Sequence, residues 1–170
     1  MPAALRMFKD GLTRGLEIVI IATMGLLVVD VVWGVFSRYA LGEQTKWTEE
    51  LARFLLVWVA LLGGALAFRT KTHLGVDYFV NRLHPDARRV TAVVADLVVL
   101  FFAGAVLLLG GTSVVREALV LEQTTPALGW KMGYVYMALP ISGFFVVFYT
   151  LDNLMATLRG RPAGRGSGES

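Results

Sequence analysis

An aspartate inside an apolar run is the residue of this sequence with the clearest capacity for chemistry. Asp30 is the single charge in the window 18–37. It lies about 12 residues into a predicted span, or roughly 18 Å along the helix axis. A charge at that depth costs on the order of 2.5–3.5 kcal/mol on insertion scales, so one interpretation is a proton or ion site. We favour the other, a hydrogen bond to a neighbouring helix or a partner subunit, because no second deep acid accompanies Asp30.

A second group of charged and aromatic residues lies where a later apolar run begins. Glu49 and Glu50 precede Arg53 at the spacing of helical ion pairs, which support a helix by about 0.2–0.5 kcal/mol each. At a membrane boundary the same charges are poorly hydrated, and binding to a partner is the second interpretation. Trp47 and Trp58 are expected to mark a membrane interface and a buried face of the same helix. We place all five residues in a candidate partner interface.

Small residues continue this candidate interface along the same run. Ala60 and Gly64 are four residues apart, as are Gly63 and Ala67. Small residues at that spacing allow a second membrane helix to approach closely. The pattern therefore predicts a surface for helix packing.

Other residue types that support catalysis or metal binding do not form a recognisable arrangement. His73 and His84 lie in a loop region without further ligands, and the sequence contains no cysteine. We find no nucleophile with its base, phosphate-binding loop or dinucleotide fingerprint. The basic residues are spread over loops, which argues against nucleic acid. We expect no catalytic residue, cofactor or metal, and hence no enzyme.

The composition is that of a membrane protein. Hydrophobic residues make up 56% of the 170 residues and charged residues 17%, whereas a soluble domain is about 25% charged. The long apolar runs also lack the polar stripe of a helix in a soluble bundle. A spanning helix needs about 20 mostly apolar residues. The sequence predicts an all-α membrane domain over 1–158, with four transmembrane helices at about 17–36, 47–69, 89–115 and 132–156.

The distribution of basic residues predicts the orientation. Eleven of the 16 Lys and Arg residues lie at the N-terminus, between spans two and three, or in the C-terminal tail. By the positive-inside rule both termini are cytoplasmic. Between spans two and three, Val76, Phe79, Val80 and Leu83 share one face of a short interfacial amphipathic helix. Residues 159–170, rich in Gly, Arg and Ser, are predicted to be a disordered cytoplasmic tail.

Several short motifs, taken together and in this order, resemble one known family. They are WTEELAR at 47–53, LLGGALAFR at 61–69, HLGVD at 73–77, LHP at 83–85 and GYVYMALP at 133–140. The sequence is similar over about residues 12–158 to the small membrane subunit, the DctQ family, of tripartite ATP-independent periplasmic (TRAP) transporters.

The resemblance implies a role as one of two membrane components. The partner would be a larger membrane subunit that carries the substrate and sodium sites and moves by an elevator-like motion. A periplasmic binding protein would deliver an organic acid, and the small subunit would extend the static scaffold and help dock that protein. The family's loop motif corresponds to Arg69, His73 and Asp77. The resemblance also implies the cytoplasmic membrane of a bacterium or archaeon.

A different class of function competes with this one. A small dimeric exporter that transports by itself would use Asp30 as its proton-binding acid. Transport by the isolated chain, abolished by Asp30→Asn, would favour the exporter. A transporter subunit would carry nothing alone, and its substrate would be bound by other chains.

Overall fold

The computed structural model describes residues 3–40, 42, 46–69 and 85–158, with side chains for 9–40, 42, 46–69 and 90–158. The described residues form helices and turns, and their only β-type pairing is an isolated bridge between Thr124 and Lys131. The helical elements are α1 (Ala3–Ala40), α2 (Lys46–Ala67), α3 (Pro85–Phe102), a π-helical segment (Ala103–Gly110), α4 (Gly111–Val120), α5 (Met132–Tyr136) and α6 (Ala138–Leu158). The predicted all-α class is confirmed.

Four stretches are long and apolar enough to cross a membrane, as predicted. They are Lys9–Ala40, Lys46–Ala67, Val90–Val120 and Met132–Leu158. Much of their surface is apolar and outward-facing; Ile21 is 70% exposed and Phe101 78% exposed. Such a surface is unfavourable in water and suited to lipid or to another membrane protein. The predicted interfacial helix at 76–83 and the tail at 159–170 lie outside the described residues.

The helices α2 and α6 occupy the centre of the arrangement. The first helix, α1, packs on α2, and α2 packs on α6; the third span packs on α6 through α3 and the π-helical segment. Two clusters of buried side chains result, which we call the Tyr149 cluster (Leu16, Leu62, Tyr149) and the Val146 cluster (Ala65, Ala103, Val146). Each cluster joins three elements, and α2 and α6 contribute to both.

The third span and α6 approach so closely that glycine is required at their contact. A Cβ on Gly143 would lie 2.7 Å from Leu107 Cβ, 3.1 Å from the Leu107 carbonyl carbon and 3.2 Å from the Leu108 nitrogen. A Cβ on Gly111 would lie 2.9 Å from Leu139 Cβ. Small residues permit contact at the level of the backbone, where close packing holds membrane helices together.

A proline divides the fourth span near its beginning. Pro140 has no amide proton, so the carbonyl of Tyr136 loses its helical donor. The span is accordingly divided at Met137 into α5 and α6. The Met137 amide still donates to the Gly133 carbonyl at 3.1 Å, and the Ile141 amide donates to the Met137 carbonyl at 3.2 Å. The two helices therefore continue one another.

Polar contacts connect three spans at one end of the molecule. We call this end, where α1 begins and α6 ends, the termini side. The opposite end, which contains residues 121–131, is the loop side. Arg69 donates to Glu17 at 3.0 Å and lies 3.7 Å from Asp10. The Asn153 amide donates to the Phe68 carbonyl at 3.0 Å. That carbonyl follows the last turn of α2, where backbone acceptors lack helical partners. The end of α2 is thereby fixed to α1 and α6.

The same side holds two polar pairs between α1 and α6. The Lys9 ammonium pairs with the Asp152 carboxylate. Thr13 donates to the Lys9 carbonyl at 2.9 Å. Its oxygen then accepts from the Tyr149 hydroxyl at 3.1 Å. The α1–α6 contact is therefore secured by polar groups as well as by packing.

We expect Tyr149→Phe to lower the free energy of unfolding by about 0.6 kcal/mol, the average for a side-chain hydrogen bond between membrane helices. The ring stays in the Tyr149 cluster and only the hydroxyl is lost. Thermal unfolding in mild detergent measures the effect. Tyr134→Phe is the control, since Tyr134 is 59% exposed. Equal behaviour of the two variants would contradict a stabilising Thr13–Tyr149 bond.

Candidate partner-binding site

The face of α2 that is turned away from both α1 and α6 is exposed. Glu49 lies in the first turn of the helix, where a negative charge is favourable near the positive end of the helix dipole. Residues three or four apart share a face, and one such row forms what we call the α2 outer stripe: Arg53, Leu56, Val57, Ala60, Gly64 and Ala67. Each of these residues is exposed.

The middle of the α2 outer stripe has room for another helix. A Cβ on Gly64 would meet nothing within 4 Å, and the same holds for the half-buried Gly63 beside it. Leu56 is 57% exposed, so the apolar surface continues towards the loop side. The predicted small-residue pairs thus face away from the core of this chain and offer a close approach to a neighbour.

The tryptophans of α2 occupy different environments. Trp58 packs against the Tyr149 cluster, so it belongs to the core and not to the α2 outer stripe. This agrees with the buried face predicted for it but places it away from the exposed interface. Trp47 is 39% exposed at the loop-side end of the helix. Trp58 is half-buried, so Trp47 is the more exposed of the two.

Glu50 binds a loop of its own chain. Its carboxylate oxygen Oε2 accepts hydrogen bonds from the backbone amides of Ala127 at 2.8 Å and Leu128 at 2.9 Å. The predicted helix-supporting pair with Arg53 is not formed in the part of the chain that the structure describes. A carboxylate that receives two amide donors satisfies both backbone groups at once and holds the loop against α2.

The loop over Glu50 has a defined conformation. The Thr125 amide donates to the Trp130 carbonyl at 2.8 Å, and the Trp130 amide donates to Thr125 Oγ at 2.9 Å. Gly129 has a φ of +67°, a conformation that glycine adopts without steric cost. Thr125 is 2% exposed. The turn residues Pro126 and Gly129 were the available sequence signal for this loop, but they carry no information about its attachment to Glu50.

Asp30 is buried between α1 and α2. It is 4% exposed, and neither carboxylate oxygen has a hydrogen-bond partner among the described residues. A bond from Asp30 to a neighbouring helix of the same chain, one of the predicted alternatives, is therefore not formed there. The carboxylate borders a cavity of about 200 Å³ that Gly34 and Thr48 also line. A partner subunit remains as the predicted source of a donor.

The motif predicted for the loop after α2 is described only in part. Arg69 forms the contacts on the termini side given above, whereas His73 and Asp77 lie outside the described residues, as does His84. Within the described ranges no three His, Cys, Asp or Glu side chains are grouped so that they could hold a metal ion.

The sequence is similar to a known protein family over most of its length. Residues 27–160 match the family described as the DctQ component of tripartite ATP-independent periplasmic transporters. The sialic acid TRAP transporter small permease protein SiaQ of Vibrio cholerae is 31% identical over 159 residues, which cover 92% of this chain and 90% of the relative.

Two further relatives carry related names. The C4-dicarboxylate TRAP transporter small permease protein DctQ of Rhodobacter capsulatus is 32% identical over 111 residues, covering 65% of this chain and 48% of the relative. The isethionate TRAP transporter permease protein DctMQ of Oleidesulfovibrio alaskensis is 28% identical over 113 residues, covering 66% of this chain but 18% of the relative. With a family match over most of its length and four helices able to cross a membrane, the chain belongs to the DctQ family and is a multi-pass membrane subunit of a TRAP transporter, not an enzyme.

Proposed function

We propose that this subunit braces the large membrane subunit of its transporter through the α2 outer stripe. The observation that carries the proposal is the row of exposed small residues on a helix whose other faces are packed. A Cβ at Gly64 would have open space on all sides, so a partner helix can reach the backbone there. Such close contact gives the dispersion energy on which helix association in lipid depends.

The contacts at both ends of the molecule support a static role. On the termini side, Arg69 and Asn153 fix the end of α2 to α1 and α6. On the loop side, Glu50 fixes residues 127 and 128 to the beginning of α2. A helix held at both ends resists tilting, which is the property that a fixed scaffold beside a moving transport subunit requires.

The lengths of the relatives support a larger partner. The chain matches 18% of the DctMQ permease, so in that protein the related segment is joined to a much longer polypeptide. The sialic acid TRAP transporter permease protein SiaT of Haemophilus influenzae is matched over 12% of its length. We infer that this chain acts together with a polypeptide that corresponds to the remainder of such proteins.

The proposed orientation follows from the charges. With both termini in the cytoplasm, the loop side and its Trp130 face the periplasm of a bacterial or archaeal cell, where they would help dock a substrate-binding protein. The segment Val76–Leu83 would lie in the cytoplasmic interface and resist tilting further. Cysteine labelling from outside the cell tests this orientation: Gln123→Cys should react and Thr157→Cys should not.

We further propose that the complete transporter takes up an organic acid together with sodium ions. The names of the relatives include sialic acid and C4-dicarboxylates, which are carboxylates. The substrate and sodium sites would lie on the large subunit. Reconstituted alone in vesicles, this chain should transport nothing; solute flux abolished by Asp30→Asn would instead favour the self-contained exporter.

We expect Gly64→Leu to reduce the amount of large subunit that co-purifies with this chain by at least about tenfold, since the leucine blocks close helix approach. Gly25→Leu is the matched control, because a side chain on Gly25 also meets nothing within 4 Å. The membrane yield of each variant shows that it folds. Undiminished co-purification of Gly64→Leu would contradict the proposed packing face.

A further inference from the structure

Asp30 differs from the other buried polar groups of α1 in having no donor. Thr13 and Ser37 are also buried, but each of them has an interaction partner. Both oxygens of Asp30 are unpaired within the described part of the chain. Asp30 lies ten residues before Ala40, or about 15 Å below the end of α1. Acyl chains at that depth offer a carboxylate no donor.

The cavity beside Asp30 opens on the outer surface of the molecule. Its lining includes Val31 and Val35, which are 48% and 53% exposed, so the opening lies beside the exposed face of α1. At about 200 Å³, the cavity is much larger than the roughly 10–15 Å³ that a single water molecule needs on the same measure. It therefore accommodates the head of a long side chain that arrives from outside.

The charges around the cavity favour a cation. Besides Asp30, its lining contains Glu49 and Arg38, both exposed. Arg38 lies two helical turns from Asp30, about 12 Å along the axis, and forms no ion pair with it. Of the two carboxylates, Asp30 is the one without a hydrogen-bond donor among the described residues, and a single Lys or Arg side chain would supply its counter-charge.

The cavity is also continuous with the α2 outer stripe. Ala52 lines the cavity and lies four residues before Leu56 and eight before Ala60, so all three share one row of α2. A partner helix on the α2 outer stripe would therefore pass the mouth of the cavity.

We propose that the Asp30 carboxylate receives a Lys or Arg side chain from a transmembrane helix of the large subunit. This inference rests on the proposed function, because the same partner occupies the α2 outer stripe. Asp30 is the buried acceptor, and the basic side chain donates to both of its oxygens. The pair fixes the register of the partner helix, while the small residues of α2 set the distance between α2 and that helix.

Substitution of Asp30 tests the pair by co-purification with the large subunit. Removing one member of a buried charge pair leaves the other unpaired, so we expect Asp30→Leu and Asp30→Lys to lower the yield of complex by about 30-fold or more. Thr23→Val is the control, since the Thr23 hydroxyl bonds only to its own helix, at the Val19 carbonyl. If replacing one basic residue of the large subunit by an acidic residue restores the yield of complex with Asp30→Lys, that basic residue is the partner of Asp30.

Photo-cross-linking with Asp30 intact provides a second test that does not depend on the folding of the variants. A photoreactive residue at Val31, beside the cavity, should give more adduct with the large subunit than one at Val29. Val29 is 64% exposed at nearly the same depth but does not line the cavity. Equal or weaker adduct from Val31, or an adduct with a second copy of this chain, would overturn the proposal.

The outcomes separate this inference from the proposed function. If the unaltered chain does not co-purify with the large subunit, the proposed function fails. If the unaltered chain and Asp30→Leu co-purify with the large subunit equally well, the proposed function stands and only the contact between Asp30 and a basic side chain is rejected.

Discussion

Gly143→Ala should lower the free energy of unfolding by about 1–3 kcal/mol, the range for adding atoms to a packed core. The added Cβ would lie 2.7 Å from Leu107 Cβ and within 3.2 Å of two backbone atoms of the π-helical segment. Backbone atoms in two packed helices cannot move aside as the end of a flexible side chain can. The third span and α6 must therefore separate locally, and the Val146 cluster beside them loses contacts.

Gly104→Ala is the matched control for this prediction. Gly104 lies in the same π-helical segment, and a Cβ there would meet nothing within 4 Å. Since alanine is favoured over glycine inside a helix by roughly 0.5–1 kcal/mol, this variant should be neutral or slightly more stable. The unfolding midpoint in mild detergent measures both. A Gly143→Ala protein as stable as Gly104→Ala would show that the two spans are not in backbone contact.

Glu50→Ala should release the loop on the loop side while leaving the helices intact. The loss removes a charged acceptor from the amides of Ala127 and Leu128, and hydrogen bonds to charged groups contribute about 1.5–3 kcal/mol. We therefore expect amide hydrogen exchange at these two positions to accelerate by about 10- to 100-fold. Docking of a periplasmic binding protein should weaken as well, because the loop would have to be ordered again on binding.

Two comparisons make this result specific. Glu50→Gln retains a carbonyl acceptor without the charge. Its amide exchange rates at Ala127 and Leu128 should lie between those of the original protein and those of Glu50→Ala. Glu117→Ala removes an exposed acid on the adjoining helix α4 and should change neither amide. Unaltered exchange in Glu50→Ala would mean that Thr125, Gly129 and Trp130 hold the loop without α2.

The sequence by itself determined the class of the protein and the number of spans. Hydropathy is a local property, and a run of about 20 apolar residues is stable across a bilayer whatever its neighbours are. The depth of Asp30 in its span and the small residues of α2 are likewise predicted from the local sequence alone. Short motifs also indicated the DctQ family, which the family match confirmed.

The identity of neighbouring helices was decided only by the tertiary structure. A helix in a soluble protein reveals its core face by alternating polar and apolar residues. In a membrane both the lipid-facing and the protein-facing sides are apolar, so that signal is missing. Nothing local distinguishes Gly143, which contacts Leu107, from Gly64, which has open space around it.

Polar contacts between residues far apart in the sequence could not be predicted from local sequence either. Glu50 and the amide of Ala127 are 77 residues apart, and their bond depends on how α2 and the fourth span dock. The Glu50 and Arg53 spacing fits a helical ion pair, but in the described part of the chain the Glu50 carboxylate accepts from the loop amides instead. Asp30 is buried without a donor for the same reason: the docking of α1 on α2 covers the carboxylate, and no donor of the described residues reaches it.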